Sequence, residues 1–183
     1  STTEDLSARE VQILGHPQRM QPVERDAESE AIAMDLWRRM RLAITGVDAD
    51  PGPVEAIPNI HFTMLRHPQL WEKISALSIQ LSAHGTNAPR EREMVGLRTG
   101  WRGRAPVEWG EHVKFGLQLG VTTEEIERVK LGSAEAGWDA SDRALLRAVE
   151  ELHSDAMISD ATWEALRKSY TEEQCFELTV LVG

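Results

Sequence analysis

"REREMVGLRTGWRGRAPVEWGEHVKFG", residues 90–116, is the stretch that decides the fold. Its first half spaces Met94, Leu97, Arg98 and Trp101 at intervals of three and one, which puts them on one side of a helix. Gly103, Arg104, Ala105 and Pro106 then punctuate the chain. The second half, "VEWGEHVKFG", resumes as a short amphipathic helix. Glu108 and His112 lie four apart on it and share a face. Trp101 and Trp109 bracket the turn between the two helices.

The same periodicity continues on both sides. "SEAIAMDLWRRMRLAI", 29–44, spaces its apolar side chains as a helix does, and "HFTMLRHPQLWEKISALSIQL", 61–81, reads as two helices broken at His67-Pro68. Between them "TGVDADPGPVEAIPNI" carries three Pro and two Gly and reads as a loop. Downstream, Thr122 and Glu125 form a T-x-x-E capping box before "TEEIERVK", and Gly132 ends that helix. Ser141 and Ser159 are expected to cap the next two helices, and Thr171 with Gln174 forms a T-x-x-Q box before the last. No stretch alternates as a strand does. The expected fold is all-α, with about seven or eight helices. Residues 1–28, polar and without clear periodicity, are expected to form an extended N-terminal arm. Residues 29–183 are expected to form a single helical domain. The apolar ending "LTVLVG" reads as mid-helix, so the natural chain is expected to continue.

Composition narrows the function. The 183 residues are 41% hydrophobic, enough for one ordinary core, and the net charge is −10. An acidic chain repels phosphate backbones, and the densest basic stretch, "RRMR" at 38–41, is too short to argue for nucleic acid. No apolar run approaches the roughly 20 residues of a membrane span. The single cysteine, Cys175, permits neither an internal disulfide nor a zinc cluster. A reducing compartment follows, and a cytoplasmic location is expected.

Few residues carry chemistry. A Glu one turn before a His can hold the imidazole in one tautomer, so Glu108 and His112 are candidates for proton transfer. The same spacing also arises on exposed charged faces. Glu93 lies among Arg90, Glu91 and Arg92, where a solvated helix start is the alternative. Trp101 and Trp109 either pack in the core or wall a pocket. Arg98, Arg102 and Arg104 flank the corner, and any of them has the fork geometry to hold a carboxylate. "EELH", 150–153, has the E-x-x-H spacing of di-iron bundles, but no second copy exists, so no metal site is expected. Cys175 reads as a small core residue.

Taken together, "NIHFTMLRHPQLWEKI", "REREMVGLRTGW", "VEWGEHVKFGLQLGVTTEEIERV" and the later "WDASDRALLRAVEELHSDAMISDATWEALRKSY" resemble the carboxymuconolactone decarboxylase family of the AhpD-like superfamily, over about residues 55–183. The resemblance is to the branch with E-W-x-x-H in place of cysteines. The superfamily's peroxidase branch pairs a glutamate and a histidine with a C-x-x-C. Laid onto this chain, that pattern puts the glutamate at Glu93, the histidine at His112, and the cysteine positions at Ala105 and Glu108. A dithiol cycle needs both sulfurs.

The resemblance implies a homo-oligomer, trimer or hexamer, with a pocket near His112. It implies a cofactor-independent lyase or decarboxylase acting on a small carboxylated lactone or related ring-cleavage product. His112 would move the proton, Glu108 would orient it, Glu93 would relay, and Trp101, Trp109 and Arg104 would hold the substrate. The rival readings are a peroxidase-related protein and a non-catalytic small-ligand-binding oligomer.

Overall fold

The computed structural model describes residues 6–48 and 52–183, and these form ten α-helices. In chain order they are α1 (Leu6–Leu14), α2 (Ala27–Thr45), α3 (Asn59–Met64), α4 (Pro68–Ala83), α5 (Pro89–Arg102), α6 (Pro106–Gln118), α7 (Thr123–Leu131), α8 (Ala140–Asp155), α9 (Asp160–Leu166) and α10 (Glu172–Val182). No strand occurs among the described residues. The surplus over the expected helix count comes from short elements such as α1 and α3. The described residues divide into two compact units, one of residues 6–15 and 86–183 and one of residues 16–48 and 52–85. Their boundaries differ from the line drawn at residue 28 from the sequence.

In the first unit α5 is central and packs against α6, α7, α8 and α10. Met94, Val95 and Leu97 of α5 meet Leu145, Leu146 and Val149 of α8 in the core, with Val129, Leu166 and Leu178 closing it. Each such fully buried aliphatic side chain contributes about 1.5–3 kcal/mol. Glu177 on α10 accepts from the backbone N–H of Thr86 and of Asn87 and from the Asn87 side chain, which anchors the approach to α5. Pro89 and Pro106 occupy the first turns of α5 and α6, where the missing N–H costs nothing.

Within the arm expected at residues 1–28, Leu6–Leu14 is helical rather than extended; α1 packs on α6, and its Leu6 is buried. Residues 1–5 of that arm lie outside the described residues, as do residues 49–51 of the expected loop. The capping boxes at Thr122 and Thr171 and the cap at Ser159 form as expected. Ser141 does not cap α8. Asp139 does, accepting from the Asp142 N–H, and the Ser141 hydroxyl donates to Tyr170 instead.

The second unit packs α2, α3 and α4 around Ala33, Leu36, Ile57, Phe62, Leu65 and Trp71. The loop before α3 tightens into a 3-10 turn at Val54–Ala56. Arg25 lies 4.0 Å over the Phe62 ring and donates to the Val54 carbonyl and to Asn59, tying the loop to the core. His61 is buried between Trp37 and Trp71, with ring centroids 5.2 and 5.6 Å away. Burial pushes its pKa below the ordinary value.

Candidate functional site

The site lies where α6 folds back on α5. Gly103 ends α5, and Arg104 takes the left-handed conformation at φ 52° that reverses the chain. The backbone is tied across this turn by the Ala105 N–H, which donates to the Gly100 carbonyl at 3.0 Å. α6 then runs back beside α5 in a register set by two glycines. A β-carbon on Gly100 would lie 3.0 Å from the Trp109 backbone nitrogen, and one on Gly96 would lie 2.3 Å from the His112 ring.

That register brings His112 to Glu93. His112 Nδ1 is 2.8 Å from Glu93 Oε2. The Glu93 side chain is only 3% exposed, whereas that of His112 is 31% exposed. Arg92 Nε lies 3.4 Å from the other carboxylate oxygen. A carboxylate accepting from Nδ1–H leaves Nε2 as the working nitrogen of the neutral ring. Nε2 makes no hydrogen bond among the described residues. A carboxylate behind the ring also stabilises the imidazolium when it forms. The pair is therefore a fixed, half-open acid–base group.

Glu108 has a different place. It is exposed, and it makes no hydrogen bond or ion pair among the described residues. The carboxylate in contact with His112 Nδ1 is that of Glu93 and not Glu108, because Nδ1 points into the α5–α6 seam rather than along the α6 surface. In the first turn of α6 its charge suits the helix dipole.

Trp101 and Trp109 meet edge to face at 4.9 Å, and Lys130 Nζ lies 5.6 and 5.7 Å from the two rings. Trp109 also packs on the core. Trp101 lines a shallow groove of about 360 Å³ with Arg128, Lys130 and Leu131, which His112 and Glu93 do not line. Arg104 is exposed, and its side chain has no hydrogen-bond partner among the described residues. Arg98 is buried. Its guanidinium binds Glu150 at 2.8 Å and the Val129 carbonyl at 2.8 Å, so it holds the end of α7 rather than a ligand. Glu150, from the E-x-x-H stretch, also accepts from the Ser133 N–H and hydroxyl. Cys175 is buried in the core, and burial pushes its thiol pKa up, away from nucleophilic use.

Gly96 is the site residue that sequence reasoning missed. A glycine in a helix interior costs about 1 kcal/mol relative to alanine. One three residues after Glu93 was the available signal.

The carboxymuconolactone decarboxylase family model matches residues 68–151. No curated protein matches the chain. Two solved structures share the fold. One is debrominase Bmp8 as a cysteine-to-alanine variant in complex with 2,3,4-tribromopyrrole, with TM-score 0.71 and 15% identity, covering 91% of this chain and 83% of that one. The other is apo debrominase Bmp8, with TM-score 0.71 and 14% identity over the same shares. At that identity the likeness is one of fold. The matched segment is narrower than the 55–183 read from the sequence, and it contains Glu93, Gly96, Glu108 and His112. Residues 68–151 are thus similar to the carboxymuconolactone decarboxylase family, the family that the sequence resembles.

Proposed function

We infer that the protein is an acid–base enzyme of the lyase type, which decarboxylates a small carboxylated lactone or related ring-cleavage product without a cofactor. The observation that carries this reading is the 2.8 Å contact between a buried Glu93 and a half-open His112. When the bond from the ring to the carboxylate breaks, carbon dioxide leaves. The electron pair then passes into the conjugated lactone as a dienolate. Protonated His112 delivers its Nε2 proton to carbon, and the ring regains a proton from solvent. Glu93 holds Nδ1–H throughout, so the imidazole keeps one orientation in both charge states. Donors placed where charge develops are expected to supply the largest part of the rate enhancement. Glu108, one turn from His112 on the open side, is suited to exchange protons with solvent or product. The homo-oligomer that the resemblance implies belongs to the same proposal. The bound ligand in the debrominase structure is a small ring, a ligand class compatible with this reading.

The test is ultraviolet monitoring of 4-carboxymuconolactone with wild type, His112→Ala and Glu93→Gln. Substrate loss with wild type, abolished in His112→Ala and strongly reduced in Glu93→Gln, supports the assignment. Equal turnover by all three would remove His112 from the chemistry. No turnover by any of them would remove this substrate and favour a small-ligand-binding protein.

A further inference from the structure

We propose that Thr99 and Arg102, toward the C-terminal end of α5, form a carboxylate-binding subsite beside His112, in place of the Arg104 that the sequence favoured. The proposal rests on the acid–base reading of Glu93 and His112 and names the substrate contact which that reading lacks.

Two unsatisfied polar atoms point to it. Thr99 Oγ1 and Arg102 Nε are both sealed from solvent, and neither has a hydrogen-bond partner. Hydroxyls inside helices ordinarily bond back to their own backbone. Thr45, Thr63, Ser75 and Ser78 all do so here, each donating to the carbonyl four residues back. Thr99 does not. A buried hydroxyl and a buried guanidinium nitrogen without partners are costly to keep, and both are donors. A ligand with acceptor oxygens would satisfy them.

Their placement follows from the register. Gly96 faces the His112 ring, and Gly100 faces the backbone of Trp109 and Glu108. Thr99 is one turn beyond Gly96, on the flank of α5 beside which His112 and Glu108 run on α6. Arg102 is one turn further, with a side chain long enough to lie back along that flank. A ring held near His112 Nε2 would then present its carboxylate toward Thr99 and Arg102. The buried charge of Glu93 repels a substrate carboxylate, so a cation on this side is needed for binding. The neighbouring arginines are committed elsewhere: Arg92 pairs with Glu93, and Arg98 binds Glu150 and the carbonyls of Val129 and Lys130. Arg104 forms the turn.

The experiment uses 2-furoate, a small ring carboxylate that cannot follow the lactone chemistry. Its binding is measured by tryptophan fluorescence on wild type, Thr99→Val, Arg102→Lys, Arg102→Ala and Arg104→Ala. The expected result is saturable binding by wild type and Arg104→Ala. It is weakened about tenfold or more in Thr99→Val and Arg102→Ala, with partial recovery in Arg102→Lys. Equal affinity across all variants overturns the subsite, as does weakening confined to Arg104→Ala or the absence of saturable binding to wild type. Circular dichroism identifies any variant that has lost its fold, and Thr99→Ser, which keeps the hydroxyl, then replaces Thr99→Val and should bind as wild type does. Binding is read without turnover, so this result stands apart from the lactone assay. Failure of that assay with furoate bound as expected would fault the reaction and leave the subsite.

Discussion

The His112 imidazole rests directly on the backbone of Gly96: a β-carbon there would lie 2.3 to 2.5 Å from three ring atoms. Nothing larger than hydrogen fits while the ring keeps its contact with Glu93. The obstructing group is a half-open side chain, so it can swing away without unfolding the helix pair. Gly96→Ala is therefore expected to keep its helicity and its melting temperature, because alanine's helix propensity offsets the local shift. His112 would leave Glu93, and turnover should fall at least tenfold. Comparing melting curves with kcat checks this, and normal activity in a folded Gly96→Ala would mean that the ring position is irrelevant.

The two glutamates near His112 should separate cleanly. Glu93→Gln keeps the shape but removes the charge that supports the imidazolium. A fall in kcat of about 10²-fold or more is expected, the scale of general acid–base catalysis. Glu108→Gln alters an exposed carboxylate with no protein partner and should change kcat less than tenfold. If Glu108→Gln proved the more damaging, the orienting role would return to Glu108.

Arg98 and Glu150 make a prediction about stability alone. Arg98 is 7% exposed in its side chain, and Glu150 is its ion-pair partner at 2.8 Å. Glu150→Ala would take the only carboxylate shown on the guanidinium, leaving it the Val129 and Lys130 carbonyls, and also free the Ser133 N–H and hydroxyl. A loss of about 3 kcal/mol is expected, as for other buried pairs that lose one member. Urea unfolding measures it, and a loss under 1 kcal/mol would mean that solvent replaces the carboxylate.

His61 predicts how stability depends on pH. Burial between Trp37 and Trp71 lowers its pKa below the ordinary 6.5. The unfolded chain thus takes up the proton first as pH falls. The contribution of neutral His61 is complete above about pH 6.5 and declines below it, until the folded protein is protonated as well. The melting temperature should drop more between pH 7.5 and pH 5 in wild type than in His61→Phe. An identical drop in both would clear His61.

Arg104 carries a left-handed backbone at φ 52°, which costs an L-residue about 1 kcal/mol and glycine almost nothing. Arg104→Gly is expected to raise stability by up to about that amount, less the extra freedom glycine gives the unfolded chain. Turnover should be unchanged. Lost turnover with an intact fold would show that the exposed guanidinium meets the substrate after all.

Helical class, most helix boundaries and three of the four expected caps were legible in the sequence. They rest on local spacing, and spacing survives without tertiary contacts. The caps at Thr122, Ser159 and Thr171 show this, each closing on a backbone N–H three residues away. Ser141 shows where local reasoning stops. Asp139 competes for the same helix start, and Tyr170, far away in the chain, offers the serine hydroxyl another partner. The residue types of the site were also visible, as was the family resemblance that singled out Glu93 and His112.

Which carboxylate holds the histidine was decided by the tertiary structure alone. Sequence spacing favoured Glu108, one turn away on the same helix. The fold chose Glu93, nineteen residues earlier, because Gly96 and Gly100 let α6 approach α5 closely enough for Nδ1 to reach a buried oxygen. Burial divided the arginines in the same way, placing Arg98 in an internal ion pair and Arg104 at a turn. Spacing along one helix reports which residues share a face. Only the packing of two helices sets how far apart their side chains lie and which of them loses its water.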